Sequence, residues 1–355
     1  MTRRLPATSW LGASWLGASW LGAVIIITGF GTALRAEQTS SASEPPPTFR
    51  GYDFDSWKTL VRTDLDPETR FRGMLAIARL GIAERRAEAA EFLAEAIEDE
   101  AVPIVRSSGY LALLAFGDEA GDRIRRGLRS EDGQERLIVL YAVADFFDPV
   151  PLSAAESQLA GLPTGEELPA DSALPGRLAP LLAEILADRQ YDTEDREAAI
   201  RGLRGIFRSH RSAAVADGAA VAERVRVAAS ETAEGPDMGL AVAAIELIGE
   251  LGPHAAPSVP RLIEITRKSE QPFRHPAGDP GGDGTDDGFT SRPMAAVIAL
   301  GRLGAVAEEA IPTLERIRDR GVGREIYASG LARRSLAMIR SGLDRGEVPP
   351  PTESP

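Results

Sequence analysis

The sequence predicts an all-α fold, a right-handed α-solenoid of about six helix pairs behind an N-terminal hydrophobic helix, on three observations. Apolar residues make up 43% of the 355-residue chain and aromatics only 6%. A core of that kind rests on Ala, Leu, Ile and Val and suits closely packed helices, whereas a β-sandwich would use more Tyr, Phe, Trp and Thr. A helical phrase ending in glycine recurs along the chain, and the chain is longer than one compact core usually serves, so an elongated array or several domains are expected.

The first element is the hydrophobic run. Residues Leu5 to Leu34 carry no charged side chain; they contain Ser9-Trp10-Leu11-Gly12-Ala13, repeated through Ala23, and then Val24-Ile25-Ile26-Ile27. Arg3 and Arg4 precede the run and give it the basic flank of a secretory signal, with Gly31, Ala33 and Ala36 as small residues near a cleavage point. Since roughly 20 apolar residues span a bilayer, residues 1–36 read either as a signal peptide or as a retained N-terminal anchor that touches the membrane through residues 5–34. Either way the remainder is expected outside the cytoplasm, in the periplasm or on the outer-leaflet side of the inner membrane. Residues 37–50, rich in Ser, Thr and Pro, read as a disordered linker, and residues 343–355 as a disordered tail.

Residues 51–342 are the predicted solenoid. Asp66-Pro67-Glu68 is a helix start: Asp accepts from free amides, Pro is preset at the first helical position, and Glu favours the positive helix end. Met74, Ile77, Ala78 and Gly81 then follow at helical spacing, and Gly81 is expected to close the helix. Ala112-Leu113-Leu114-Ala115-Phe116-Gly117 repeats Ala76-Ile77-Ala78-Arg79-Leu80-Gly81 after 36 residues. Ala244 to Gly252 matches Ala296 to Gly304 at an offset of 52, which continues through Val259-Pro260 and Ile311-Pro312. That offset includes an insert near 270–291, so the unit is roughly 30 residues, a solenoid period. A second insert is expected near 148–176, degenerate boundaries near 209–236, and a closing helix over Arg324–Arg340.

Leu251-Gly-Pro-His-Ala-Ala-Pro-Ser-Val-Pro-Arg-Leu-Ile263 resembles the turn and second helix of a HEAT repeat. The stretch Ala183 to Ile200 resembles the short HEAT repeats of phycobilin-lyase-like proteins. The resemblance covers about residues 67–340 and implies a HEAT-like array serving as a scaffold or peptide-binding platform.

Candidate sites are few. Glu84, Glu88, Glu91, Glu95 and Glu98 share one helical stripe, and Arg123, Arg125, Arg126 and Arg129 follow on the next repeat. Ion pairing between those repeats is the simplest expectation, and a protein-binding dock for an acidic partner is the functional one. The insert His275 to Gly288 holds Asp279, Asp283, Asp286 and Asp287, but Gly281 and Thr290 stand where a calcium loop places a ligand and its closing Glu, so an acidic loop is expected, with calcium binding as the alternative. His210 is placed near a helix end, where a cation suits the dipole, and His254 in a repeat turn. The chain has no cysteine, its histidines lack metal-ligand spacing, and it has neither a nucleophile elbow nor a phosphate loop. No catalytic residue, cofactor or metal site is therefore predicted. The net charge of −13 argues against nucleic acid as a partner. The expected function is a non-catalytic protein–protein interaction scaffold of the cell envelope with an unidentified protein partner; a ligand- or chromophore-handling lyase-like enzyme is the alternative.

Overall fold

The chain divides into units over Met1–Pro45 and Pro46–Pro355. The computed structural model describes residues 47–149, 161–169, 171–215, 219–268, 291–320 and 326–346, all within the second unit. The hydrophobic N-terminal run, the Asp-rich insert and the C-terminal tail lie outside the described residues, and among those residues no helix is long and apolar enough to cross a membrane.

Fourteen helices of eight or more residues are present among the described residues. They are α1 (Phe54–Thr63), α2 (Pro67–Glu84), α3 (Arg86–Asp99), α4 (Pro103–Leu114), α5 (Gly121–Leu128), α6 (Gly133–Phe147) and α7 (Leu174–Ala187), followed by α8 (Thr193–Ser209), α9 (Ala220–Ala233), α10 (Met238–Glu250), α11 (Val259–Lys268), α12 (Arg292–Leu303), α13 (Ile311–Asp319) and α14 (Ile326–Asp344). The even-numbered helices stack side by side in one layer, each on the next. The odd-numbered helices form the second layer, joined more loosely and partly through the 3-10 turns Gly117–Ala120, Gly252–Ser258 and Gly304–Ala310. In chain order α2 to α13 form six consecutive pairs with α14 closing the array; in packing, each odd helix lies on the even helix that follows it, which is the predicted α-solenoid. Helix α1 packs on α2 ahead of the predicted first repeat, and the described part of the closing helix runs from Ile326 to Asp344, past the predicted end at Arg340.

The local causes are visible at four of the helix starts. Asp53, Asp66, Asp132 and Asp237 cap α1, α2, α6 and α10 by accepting from backbone amides two or three residues on. Three even helices also share an Asp-x-x-x-Arg start, Asp66 to Arg70, Asp132 to Arg136 and Asp192 to Arg196. Each of these arginines ties the chain just before its helix to a segment further along the sequence. Arg70 donates to the Asp64 carbonyl at 2.9 Å and to both oxygens of Glu100 at 2.7 and 3.0 Å. Arg136 donates to the Ser130 carbonyl and to Asp195, each at 3.0 Å or less, and Arg196 donates to the Leu186 carbonyl and to Thr232. Bidentate and carbonyl-directed guanidinium contacts of this kind fix geometry as well as sign.

The core between the layers is aliphatic, with Ile77, Leu93, Leu113, Val143, Leu182, Leu203, Ile245 and Leu300 fully or almost fully buried. Glycines let the even helices approach one another: a Cβ on Gly205 of α8 would stand 2.2 Å from the Phe147 carbonyl oxygen of α6. Gly117, Gly252 and Gly304 close their helices with φ of 59 to 65°, the left-handed conformation expected of a glycine stop. Gly81 does not. It lies inside α2, where the helix crosses α3 closely enough that an added Cβ would meet the Ala89 methyl at 2.2 Å. The helix stops at Arg85 instead.

The segment between α6 and α7, predicted as an insert, is a strap in its described part. Leu162 and Leu168 are buried, and Gly165 lies against Phe147 at the end of α6. Leu168 reaches Gly117 after α4, Ser172 donates to Asp118 at 3.2 Å, and Gly161 lies against the Arg79 guanidinium of α2. The strap therefore crosses the C-terminal ends of α2, α4 and α6. His210, just past α8, fastens it: the buried ring donates through Nε2 to the Gly165 carbonyl. The position just past a helix end is the one expected from sequence; the burial of the ring and its hold on the strap are not. The degenerate stretch after it resolves into a single helical turn, Arg211–Ala214, and α9.

Candidate functional site

The predicted arginine cluster on α5 does not act as one surface. Arg123 pairs with Glu98 at 3.0 Å and lies over the Tyr110 ring, 5.8 Å from its centroid, so its charge is spent inside the array. Arg125 pairs with Asp122 on its own helix. Only Arg126 and Arg129 are exposed without an ion pair or hydrogen bond among the described residues. The glutamate stripe is also divided. Glu84 ends α2 while the others belong to α3, because the chain turns at Arg85. Glu88 pairs with Lys58 at 2.8 Å and Glu95 with Arg62 at 2.9 Å, both on α1, the helix before rather than after. Glu98 alone makes the expected bridge to the following repeat. Since α1 was not foreseen, its two cations were not available as partners.

A more regular electrostatic arrangement runs across the C-terminal halves of the later even helices. Their charge alternates helix by helix. Asp145 and Asp148 on α6 face Arg201 at 2.6 Å and Arg208 at 2.9 Å on α8. Arg204 of α8 reaches Glu246 on α10 at 2.7 Å, and Glu250 of α10 holds Arg302 on α12 at 2.9 Å. Alternation lets every side chain meet the opposite sign on its neighbour, so half-buried charges are compensated. At α14 the rule fails. Where an acidic residue would continue the series, α14 brings Arg334, and Arg345 follows just past its end.

An open groove of about 750 Å³ lies at that point. Its cations are Arg211, Arg302, Arg334 and Arg345, its apolar surface is mainly Leu303, Val306, Ala337 and Met338, and no carboxylate lines it. Arg302 is already paired with Glu250, Arg211 donates to the Glu250 carbonyl at 2.7 Å, and Arg345 donates to Ser341 at 2.7 Å. Arg334 is exposed and has no ion pair or hydrogen bond among the described residues. Burial pulls the Arg211 guanidinium below its ordinary value, with Glu250 opposing that shift, and the Arg211 Nε is buried without a partner. His254, in the turn beside Arg211, is likewise held below its usual range, first by burial and then by the Arg211 charge. The groove thus concentrates positive potential on a chain of net charge −13.

Two other grooves, of about 630 and 570 Å³, are lined by several carboxylates, among them Glu231 and Asp237 in the larger and Glu184 and Glu223 in the smaller. No histidine lines any of the three. Among the described residues no group of three or more His, Asp or Glu side chains is placed to hold a metal ion, and the Asp279–Asp287 loop lies outside them. Nothing in the sequence pointed to the groove. Its arginines come from the turn after α8, from α12 and from α14 with its C-terminal end, and only the Arg-Leu-Gly phrase at Arg302 belongs to a recognised repeat.

No family model matches the sequence, and no curated protein matches it significantly. Among solved structures the chain is similar to an engineered protein, at 17% identity over 81% of this chain and 97% of that one, with a TM-score of 0.43. It is also similar to Kap121p bound to Pho4p, at 12% identity over 83% of this chain but only 34% of that one, with a TM-score of 0.46. The helical-repeat assignment rests on the two stacked layers themselves.

Proposed function

We propose that this chain is a non-catalytic interaction scaffold of the cell envelope, a HEAT-like array that holds a protein partner at the arginine-lined groove between α10, α12 and α14. One observation carries the reading: the helix-by-helix charge alternation ends at α14 with Arg334, an exposed cation with no ion pair among the described residues, on a strongly acidic chain. An array whose only task was to be stable would gain by continuing the alternation, since like charges side by side disfavour the fold. Export is supported by Arg3 and Arg4 ahead of the uncharged run from Leu5 to Leu34.

The test is chemical cross-linking in intact cells with a C-terminal tag on the wild-type chain and on Arg334→Glu. The reading expects one dominant, near-stoichiometric envelope protein with the wild type and its loss with the variant. Sequencing the N-terminus of the captured chain reports whether residues 1–36 were removed. Cytoplasmic partners only, or equal capture by the variant, would overturn the reading.

A further inference from the structure

We infer that the groove receives an extended, acidic segment of the partner protein, laid across the helix ends in the way the chain's own strap is laid across the neighbouring ones. The inference rests on the scaffold reading and adds the chemistry and conformation of what is bound. Its grounds are two stretches of a single edge. Arg136–Asp195 and Asp148–Arg208 pair α6 with α8 in the same direction, Arg204–Glu246 and Arg208–Glu250 do so for α8 and α10, and Gly249–Ala299 and Glu250–Arg302 for α10 and α12, while Gly301 of α12 lies against Ser335 of α14. Their C-terminal ends therefore share one edge of the array.

From α2 to α8 that edge is crossed by residues 161–172. The strap shows what this edge accommodates: a segment with one 3-10 turn, Gly165–Glu167, whose Leu162 and Leu168 are buried anchors and whose Glu166 and Glu167 are exposed between them. One of its carbonyls accepts from His210, and its Gly161 backbone lies on the guanidinium of Arg79. From α10 to α14 the same edge has no covering segment among the described residues. There, Leu303, Val306 and Met338 supply apolar surface like that beneath the strap leucines, and Arg302 and Arg334 supply cations. An extended peptide offers backbone acceptors and alternating side chains to such a surface, and carboxylates on it would complete the charge alternation that α14 breaks off. His210 and Arg211 are consecutive residues, so the fastening of the strap and the wall of the groove meet at one point of the edge.

Fluorescence anisotropy of the full chain with a fluorescein-labelled peptide, Glu-Leu-Pro-Glu-Glu-Leu-Pro-Glu, tests this directly. Saturable binding is expected, weakened about tenfold or more when Gln replaces Glu in the peptide or when Arg334 becomes Glu. Arg126→Glu, which removes an exposed arginine on α5, should leave binding unchanged and separates the groove from general attraction to an acidic peptide. Equal binding by Arg334→Glu, equal binding of the Gln peptide, or no binding at about 1 mM would overturn the inference. So would orthophosphate that saturates the site with the same dependence on Arg334 and displaces the peptide, since that assigns the groove to a small anion. If the cellular partner is still captured through Arg334 while the peptide fails, the scaffold reading survives and the extended acidic segment does not.

Discussion

The edge formed by the C-terminal ends of the even helices is built twice in different ways. Between α2 and α8 the chain covers it with its own strap, burying Leu162 and Leu168 and engaging the His210 ring. Between α10 and α14 the repeats are more regular, with Gly252 and Gly304 in matching left-handed turns, yet the edge is an open, arginine-lined groove. Regularity of repeat and closure of surface are therefore separate properties. Among the described residues, the half that departs most from the repeat pattern is covered by a segment of its own chain, and the half that keeps the pattern is not.

That contrast can be broken from the covered side first. Gly205→Ala puts a methyl group into the Phe147 backbone beneath the strap, and a clash with backbone cannot be relieved by a rotamer change. A loss of about 3 kcal/mol is expected, read as a lower midpoint in chemical denaturation. Leu168→Ala removes one anchor of the strap and should cost about 2 kcal/mol, while hydrogen exchange at the amides of 162–168 accelerates and that of α12 and α14 stays as it was. Arg334→Glu is the reverse experiment on the open side. It should change stability by no more than about 0.5 kcal/mol in thermal unfolding, because the side chain is exposed and unpaired, while abolishing peptide binding. Were it strongly destabilising, the groove would be part of the fold and the contrast would collapse.

The smallest effect concerns pH. His254 titrates below its ordinary value of 6.5 in the folded chain because it is half-buried beside Arg211. Its neutral form is thus favoured by folding, so the stability it contributes is complete above pH 6.5 and declines as pH falls from there towards the folded value. In denaturant titrations His254→Gln should flatten the stability loss over that range relative to the wild type. A steeper loss in the variant would mean that the histidine is stabilised in its charged form, with an anion already in place.

How much of this was legible in the chain follows from the range of each interaction. The glycine stops at Gly117, Gly252 and Gly304, the cap at Asp66 and the offset between Ala244 and Ala296 are local signals, and they suffice for helices, turns and stacking order. Local signals also misled at Gly81, where close packing against Ala89 required glycine within a continuing helix. Helix α1 was available to the same reasoning, since Asp53 caps it and Phe54, Trp57 and Val61 are its buried face, but it stands ahead of the first repeat phrase. The strap has no periodicity at all, and its course is decided by side chains 45 to 54 residues away. The groove is less legible still, because no spacing brings Arg211, Arg302, Arg334 and Arg345 together except the completed stack.

The strap has a consequence for how the molecule comes apart. In a stack of repeats each unit normally answers only to its neighbours, so stability is a sum of local and nearest-neighbour contributions and the ends fray one unit at a time. Ion pairs such as Lys58 with Glu88 and Arg86 with Glu119 obey that rule, reaching 30 and 33 residues along the chain. The strap does not: residues 161–172 touch α2, α4, α6 and the residue after α8 together, so none of these helices can leave without releasing the others. The first eight helices should then melt as a single cooperative block, and the last six should breathe independently, one pair after another from the C-terminal end. The arginine-lined groove would then lie in the region freest to adjust its shape.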